Sequence, residues 1–435
     1  MGKGSWIVGA ALSLGLAAPA AAQAPPAGRF DAAVFAAAAR LQPKVVAWRR
    51  DIHQHPELGN RETRTAALVA DHLRGLGIEV RTGVGKTGVV GVLRGGRPGG
   101  VVALRADMDA LPVTELTGAP FASKVVTDYN GQTTGVMHAC GHDAHVAILM
   151  GAAEALAAMR SEIPGTVVFI FQPAEEGPPP GEQGGAPLMV EEGALANPAP
   201  TAIFGLHVWP GEVGQLSWRP GPMMAASDQF GIVLKGQQTH GAQPWAGIDV
   251  VSMAADIVQA FNQIAARQIN VTRSPTVLTI ATVHGGVRYN IIPDDLAMTG
   301  TLRTFDPALR KDIMGRAERT VASIAQRYGG KGEIVWGGYY PVTTNEPGLA
   351  GRMAATLSRA AGGAVDGAID YMTGAEDFAY YQQKIPGVFY RLGIGFPPGG
   401  NHSPLFNVMD EKALEVGVRA QALTALDYLA STPRR

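Results

Sequence analysis

The chain has 435 residues, of which 46% are hydrophobic and 17% are charged, and its formal net charge at pH 7 is −1. This balance excludes a disordered chain, and it lacks the excess of cations that binding to nucleic acid or to anionic lipid requires. At about 100–200 residues per domain, the length allows two or three domains, each with its own core.

The amino terminus has the pattern of a secretory signal peptide. Lys3 supplies a positive charge, residues 6–18 are mostly apolar, and the small residues 20–22 form a cleavage site, so we predict cleavage after residue 22. An uncleaved membrane anchor is the alternative, although the apolar run is shorter than the ~20 residues that span a bilayer. We therefore expect a mature protein that is periplasmic or secreted and has no further membrane segment.

Helical and strand-like segments alternate through the next part of the chain. Near-continuous apolar strands separated by helices are typical of a largely parallel sheet with helices on both faces. A loop rich in Pro and Gly is predicted at residues 178–185. The predicted helices are residues 31–50, 62–76 and 142–159, and the predicted strands are residues 89–93, 101–104, 166–171 and 202–206.

The pattern then changes to a β-α-β-β-α-β order, which can close as a small ferredoxin-like domain. We predict a mixed α/β fold in which this lid domain, residues 224–340, interrupts a catalytic domain made of residues 23–223 and 341–435. The lid elements are predicted at residues 229–234, 250–266, 276–283, 296–303, 307–327 and 333–336, and the α/β pattern resumes with residues 347–361, 388–392 and a helix from residue 411.

Three predicted strands end in polar side chains that are unusual for a core. In open α/β sheets, ligands bind beyond the carboxyl ends of the strands, so we expect a functional site there. The polar residues at these ends are Asp107, Glu175, Glu176 and His207, and Cys140 and His142 lie between the first two strands in the sequence.

Cys140 is the only cysteine, so it forms no internal disulfide. It is either a small buried apolar residue or a metal-bound thiolate. The imidazole of His142, two residues away, can point to the same position, and zinc and similar ions accept sulfur, nitrogen and oxygen ligands together. Two further histidines nearby, His138 and His145, favour the metal, with His142 as a ligand and His145 as a supporting residue.

The adjacent carboxylates Glu175 and Glu176 can point in different directions. One can bind a metal while the other removes a proton from water, although a solvated turn is the alternative. Taken alone, His207 would more commonly be a core residue and His402 part of a surface turn.

Together these motifs resemble the dinuclear-metal amidohydrolases, which include hippurate hydrolases, aminoacylase-like enzymes and indole-acetyl-amino-acid hydrolases and are related to glutamate carboxypeptidases. The resemblance runs from about residue 47 to the last predicted helix. The motifs that carry it are residues 51–58, 105–112, 137–145, 171–177, 205–209, 290–293, 373–380 and 401–406.

The resemblance implies two divalent ions per subunit, zinc or manganese, with cobalt or nickel as alternatives. It implies that Glu175 is the catalytic base, acting on water at the metals, and that Asp107 orients the site. Relatives with a His-x-Asp motif take a ligand from that histidine, which is Arg105 here. The implied metal ligands are Cys140, His142, Glu176, His207 and His402.

The resemblance also implies that lid residues bind the substrate. His240 contacts the substrate carbonyl, in its own subunit or in a partner, and Asn290 and Arg303 hold a substrate carboxylate, which suits the planar guanidinium group. Trp245 replaces a histidine of the relatives, so we expect a more apolar pocket for bulky acyl groups. A homodimer through the lid is a further implication.

The expected reaction is hydrolysis of the amide bond of N-acyl amino acids or related small amides. A dipeptidase or carboxypeptidase on the same metal site is the first alternative. A cysteine hydrolase that uses Cys140 is the second, and a non-catalytic periplasmic binding protein is the third.

Overall fold

The computed structural model describes residues 28–431. The predicted signal peptide, residues 1–22, lies outside this range. Among the helices that the structure describes, none combines the length and the apolar composition needed to cross a membrane.

The described chain forms eighteen strands and nine α-helices. The strands are β1 (Glu79–Val84), β2 (Gly88–Arg94), β3 (Arg97–Asp107), β4 (Val126–Tyr129), β5 (Gln132–Gly135), β6 (Pro164–Gln172), β7 (Ile203–Trp209), β8 (Leu216–Ser217), β9 (Gly221–Met224), β10 (Ala226–Lys235), β11 (Thr239–His240), β12 (Thr276–His284), β13 (Ile291–Ile292), β14 (Asp295–Thr304), β15 (Lys331–Tyr340), β16 (Thr343–Asn345), β17 (Val365–Asp366) and β18 (Gly387–Gly393). The helices are α1 (Asp31–Gln54), α2 (Thr63–Gly75), α3 (His142–Ala158), α4 (Gly185–Glu191), α5 (Val250–Arg267), α6 (Pro307–Arg327), α7 (Pro347–Ala360), α8 (Ala379–Gln382) and α9 (Lys412–Ser431).

The main sheet has eight strands in the order β1-β2-β6-β3-β7-β18-β8-β17. Its centre, β6-β3-β7-β18, is parallel throughout, and β2 and β8 join it in antiparallel pairs. The prediction of a mixed, largely parallel sheet is therefore confirmed. The parallel centre places the carboxyl ends of four strands at one edge of the sheet.

Helices cover both faces of this sheet, which explains why its strands have uninterrupted apolar sequences. Along β6, Val167, Phe169 and Phe171 pack into the larger core, which includes residues of α1, α3 and α9. The alternate residues Val168 and Ile170 pack into a second core on the opposite face. Successive side chains of a strand point to opposite faces, so both sets must be apolar when both faces are buried.

A second sheet is antiparallel and four-stranded, in the order β12-β14-β10-β15, while β11 and β13 pair with each other beside it. Its own core contains Ile232 from the sheet and Ile257 and Val321 from α5 and α6. The element order is the β-α-β-β-α-β order expected from the sequence. An aspartate caps each helix: Asp249 accepts hydrogen bonds from the first turn of α5, and Asp306 does the same for α6.

Some elements differ from the sequence prediction. The predicted strand 101–104 continues as β3 to Asp107, because pairing with β6 persists at Arg105 and Asp107 although both are charged. Both side chains are buried, so the strand ends beyond its apolar run. Several short strands, among them β8 and β17 with two residues each, have no sequence pattern of their own.

Candidate active site

The five predicted metal ligands come together at the carboxyl edge of the main sheet. His207 lies in β7, Glu176 follows β6, His142 begins α3, and Cys140 lies two residues before it. His402 comes from the loop between β18 and α9. Residues far apart in the chain therefore meet because the parallel strands end at one edge.

One group of donor atoms consists of Cys140, His142 and His207, whose ligand atoms lie within 4.8 Å of one another. The Cys140 Sγ atom is 3.5 Å from His207 Nε2. Nδ1 of His142 donates to the Asp109 carbonyl oxygen at 2.8 Å, and Nδ1 of His207 donates to the Val208 carbonyl oxygen at 2.6 Å. Because carbonyl oxygens only accept, each Nδ1 atom carries the proton, which leaves the Nε2 lone pair of each ring available for a cation.

The Nε2 atom of His142 is buried and has no hydrogen-bond partner within residues 28–431. Burial lowers its pKa, but Asp107 and Asp109 outweigh this effect and raise the pKa of His142 well above its ordinary value. A proton and a metal cation compete for the same Nε2 lone pair. The acidic surroundings of this partnerless nitrogen therefore fit a bound cation.

A second donor group consists of Cys140, Glu176 and His402, also within 4.8 Å. His402 Nε2 lies 2.9 Å from Glu176 Oε1. The backbone of His402 has a left-handed φ of 65°, and its N–H donates to the Ala139 carbonyl oxygen at 2.7 Å. The Cys140 thiol belongs to both groups, and sulfur, nitrogen and oxygen donors of this kind would hold two neighbouring divalent ions.

Glu175 lies beside these donors and is buried. Its Oε2 atom is 3.9 Å from His142 Nε2. Burial raises the pKa of Glu175 well above the usual carboxyl range, and the neighbouring carboxylates Glu376 and Glu176 raise it further. A carboxyl group in this position can accept a proton in one step of a reaction and release it in another.

Asp107 is held from two sides. Its Oδ2 accepts from Arg105 Nη1 at 2.5 Å, and its Oδ1 accepts from His145 Nδ1 at 2.5 Å. His145 Nε2 in turn accepts from the Val208 N–H at 2.8 Å. Both nitrogens of His145 are therefore used within the protein, as expected for a supporting residue.

Arg105 is fully buried at the centre of several acidic groups. Besides Asp107, its Nη2 donates to Glu376 Oε1 at 3.0 Å and to Asp377 Oδ1 at 2.9 Å. Burial raises the pKa of Asp377 to about 8, although Arg105 lowers it. The guanidinium thus compensates the negative charge of three buried carboxyl groups.

The cleft over these residues has a volume of about 1130 Å³ and is lined on one side by Arg303 of the second sheet. The structure of a single chain does not bring the other predicted lid residues into this cleft. His240 is exposed on β11, Trp245 is 81% exposed, and Asn290 lies just before β13.

Comparison with known proteins identifies the family. Residues 103–427 match the model of Peptidase family M20/M25/M40, which covers more than half of the chain. The chain belongs to this family. It is 42% identical over 395 residues to thermostable carboxypeptidase 2 of Saccharolobus solfataricus, covering 88% of this chain and 95% of that protein.

Other relatives in the family are named for their action on acylated substrates. The chain is 38% identical over 375 residues to the N-acetylcysteine deacetylase of Bacillus subtilis, covering 86% of this chain and 93% of that protein. A crystal structure from Bacillus subtilis, described as a dinuclear metal binding peptidase from the M20 family, superposes with a TM-score of 0.76 at 36% identity, covering 90% of this chain and 99% of that one. The protein is a metal-dependent hydrolase of this family.

Several residues of this M20 site were not identified from the sequence. Asp109 supports His142 and also accepts from the Glu176 N–H at 2.9 Å. The hydroxyl of Tyr340 donates to the Glu175 carbonyl oxygen at 2.7 Å. Asp109 lies within a motif that carries the resemblance, so its spacing from Asp107 was an available signal, whereas nothing in the sequence marks Tyr340.

The buried charge of Arg105 generates a stability prediction. Arg105→Met leaves Asp107, Glu376 and Asp377 without their cation, so we expect a loss of about 3–5 kcal/mol in the free energy of unfolding. Urea denaturation measures this loss. Arg316→Met is the control, because Arg316 forms an exposed pair with Asp312 one helical turn away and should cost less than about 1 kcal/mol. Equal costs for the two variants would contradict the role of Arg105.

Proposed function

We propose that this protein hydrolyses the amide bond of N-acyl amino acids or related small amides. The observation that carries the proposal is the position of buried Glu175 beside two groups of metal donors, in a cleft that Arg303 also lines. The deacetylase and hydrolase names of relatives support the same reaction class. One of these is an IAA-amino acid hydrolase of Arabidopsis thaliana, 36% identical over 397 residues, covering 89% of this chain and 86% of that protein.

We propose that Cys140, His142, Glu176, His207 and His402 hold two divalent ions. Zinc suits this mixed donor set best, and manganese, cobalt and nickel are alternatives. When bound, the ions supply Lewis acidity for the scissile carbonyl and lower the pKa of water. Asp109 orients two of the ligands, because it receives hydrogen bonds from the ring of His142 and from the backbone of Glu176.

Glu175 acts as the general base in this proposal. It takes the proton of the attacking water and delivers it to the nitrogen of the departing amine, as one carboxyl group can do in both steps. Asp107 does not exchange this proton. Its oxygens are occupied by Arg105 and His145, so it fixes the surroundings of His142.

The second sheet supplies substrate binding. Arg303 lines the cleft and is oriented by hydrogen bonds to the hydroxyls of Ser227 and Thr301, and a guanidinium group can bind a substrate carboxylate with two parallel hydrogen bonds. We propose that residues 224–340 act as a lid. His240, Asn290 and Trp245 then reach the substrate from a second subunit or after the lid closes.

A carboxypeptidase or dipeptidase activity is the second candidate. The carboxypeptidase relative favours it, and Arg303 could bind the carboxylate of a peptide as well as that of an N-acyl amino acid. We also propose that residues 1–22 direct export, so that the mature enzyme works in the periplasm or outside the cell. Sequencing of the mature amino terminus tests this export.

The role of Glu175 predicts a variant that loses turnover but keeps its metal. In Glu175→Gln, the amide cannot accept the proton of water, so we expect kcat to fall by at least about 10²-fold. Elemental analysis should give the same metal content as the wild type. Glu212→Gln, at an exposed glutamate after β7, is the control and should keep full activity. Full activity in Glu175→Gln would refute the proposed base.

A substrate panel separates the two candidate activities. We expect kcat/KM to be higher for N-acyl amino acids than for unblocked dipeptides, because an acyl group avoids burying a charged amino terminus next to Lewis-acidic cations. Release of the free amino acid measures both. The opposite preference would favour the peptidase. A cysteine hydrolase would give a different pattern. It would stay fully active after complete chelation of metal, and alkylation of Cys140 would abolish its activity without removing metal.

A further inference from the structure

The backbone that carries Glu175 has a strained conformation. Ala174, directly before it, has a left-handed φ of 51°, and Gly177 has a φ of 105°. For a residue with a β-carbon, the left-handed region is sterically unfavourable. Such a turn persists only where surrounding contacts fix it.

Three contacts fix this turn, and they come from two parts of the molecule. The Ala174 N–H donates to Glu62 Oε1 at 2.9 Å, and the Glu176 N–H donates to Asp109 Oδ2 at 2.9 Å. Both acceptors belong to the catalytic domain. The third contact is made by Tyr340, whose hydroxyl donates to the Glu175 carbonyl oxygen at 2.7 Å, and Tyr340 is the last residue of β15 in the second sheet.

Tyr340 belongs to a row of residues that crosses the second sheet. Ser227 of β10 pairs with Tyr340 on one side and with Arg303 of β14 on the other. The Ser227 hydroxyl also accepts a hydrogen bond from the Arg303 guanidinium. Neighbouring strands are ~4.8 Å apart and held by hydrogen bonds, so this row sets the separation between Arg303 and the tyrosine.

The row is anchored by its immediate neighbours. Asp228, next to Ser227, forms two hydrogen bonds with Arg310 at 2.6 and 2.8 Å. The Arg310 guanidinium lies 4.1 Å from the centre of the Tyr339 ring. The hydroxyl of Tyr380 donates to the Tyr339 carbonyl oxygen at 2.6 Å. The end of β15 is thus bound to both domains just before Tyr340.

We infer that Tyr340 is a positioning residue for Glu175, and that the row Arg303–Ser227–Tyr340 couples binding of the substrate carboxylate to the placement of the base. This inference rests on the proposed function, because it requires Glu175 to be the base. The hydroxyl of Tyr340 orients the peptide of Glu175, and its ring forms part of the wall of the cleft.

Tyr340→Phe tests the inference, since it removes the hydroxyl and keeps the ring. We expect kcat to fall about 10- to 100-fold, as for other residues that orient a reacting group, with KM for an N-acyl amino acid changed by less than about threefold. Metal content and thermal midpoint should match the wild type. Tyr328→Phe is the matched control. It removes a tyrosine hydroxyl that donates to Asp256 at 2.7 Å, just before the start of β15 and at the opposite end of that strand from Tyr340, and kcat should stay within about twofold of the wild type.

A double-mutant cycle tests whether Tyr340 acts through Glu175. In a Glu175→Asp background, where the shorter side chain has already displaced the carboxylate, Tyr340→Phe should reduce kcat by a clearly smaller factor than in the wild type. An equal factor in both backgrounds would overturn the inference. So would an unchanged kcat in Tyr340→Phe, or the same loss in Tyr328→Phe.

These failures can be distinguished from failure of the proposed function. If Glu175→Gln is inactive but Tyr340→Phe is fully active, the base stands and only the positioning role falls. If Glu175→Gln is fully active, the base itself is wrong and the inference falls with it.

Discussion

The structure depends on neutralisation of the carboxyl groups that are buried where the parallel strands end. Asp107, Glu175, Glu376 and Asp377 are all buried at this edge of the sheet, and an uncompensated buried carboxylate is strongly destabilising. Arg105 neutralises part of this charge through three carboxylates. The neighbouring donors that converge on the Cys140 thiol provide the place where divalent cations would neutralise the rest.

The two domains contribute different parts of the proposed chemistry. The main sheet and α3 hold the metal donors rigidly, because both His142 and His207 are fixed through Nδ1 to backbone carbonyls. The second sheet contributes Arg303 to the cleft and Tyr340 to the backbone of Glu175. The proposed substrate contact and the proposed base are thereby linked through one row of residues across the second sheet, although these residues are far apart in the sequence.

The sequence predicted the architecture from local signals, and the resemblance to a family supplied the candidate metal donors, which the structure brings close together. Strands buried on both faces are continuously apolar, and Cys140 and His142 are neighbours in the chain. The sequence could not predict contacts such as that between Tyr340 and Glu175, since these residues are 165 positions apart and a tyrosine at a strand end has many other uses. The sequence prediction also ended β3 too early. Arg105 is charged, and nothing in the local sequence indicates that it is buried against acidic partners near residue 376. Where His240, Asn290 and Trp245 meet the substrate remains a proposal, since a single chain leaves them outside the cleft.

The most direct test of the account is elemental analysis of the wild type and of Cys140→Ala, both purified without added metal, combined with anomalous diffraction from crystals of the wild type. The account predicts two divalent ions per wild-type chain, both next to Cys140, and a clear loss of bound metal in the variant. A wild-type enzyme that is active with no divalent metal, or whose metal lies away from Cys140, His142 and Glu176, would contradict it.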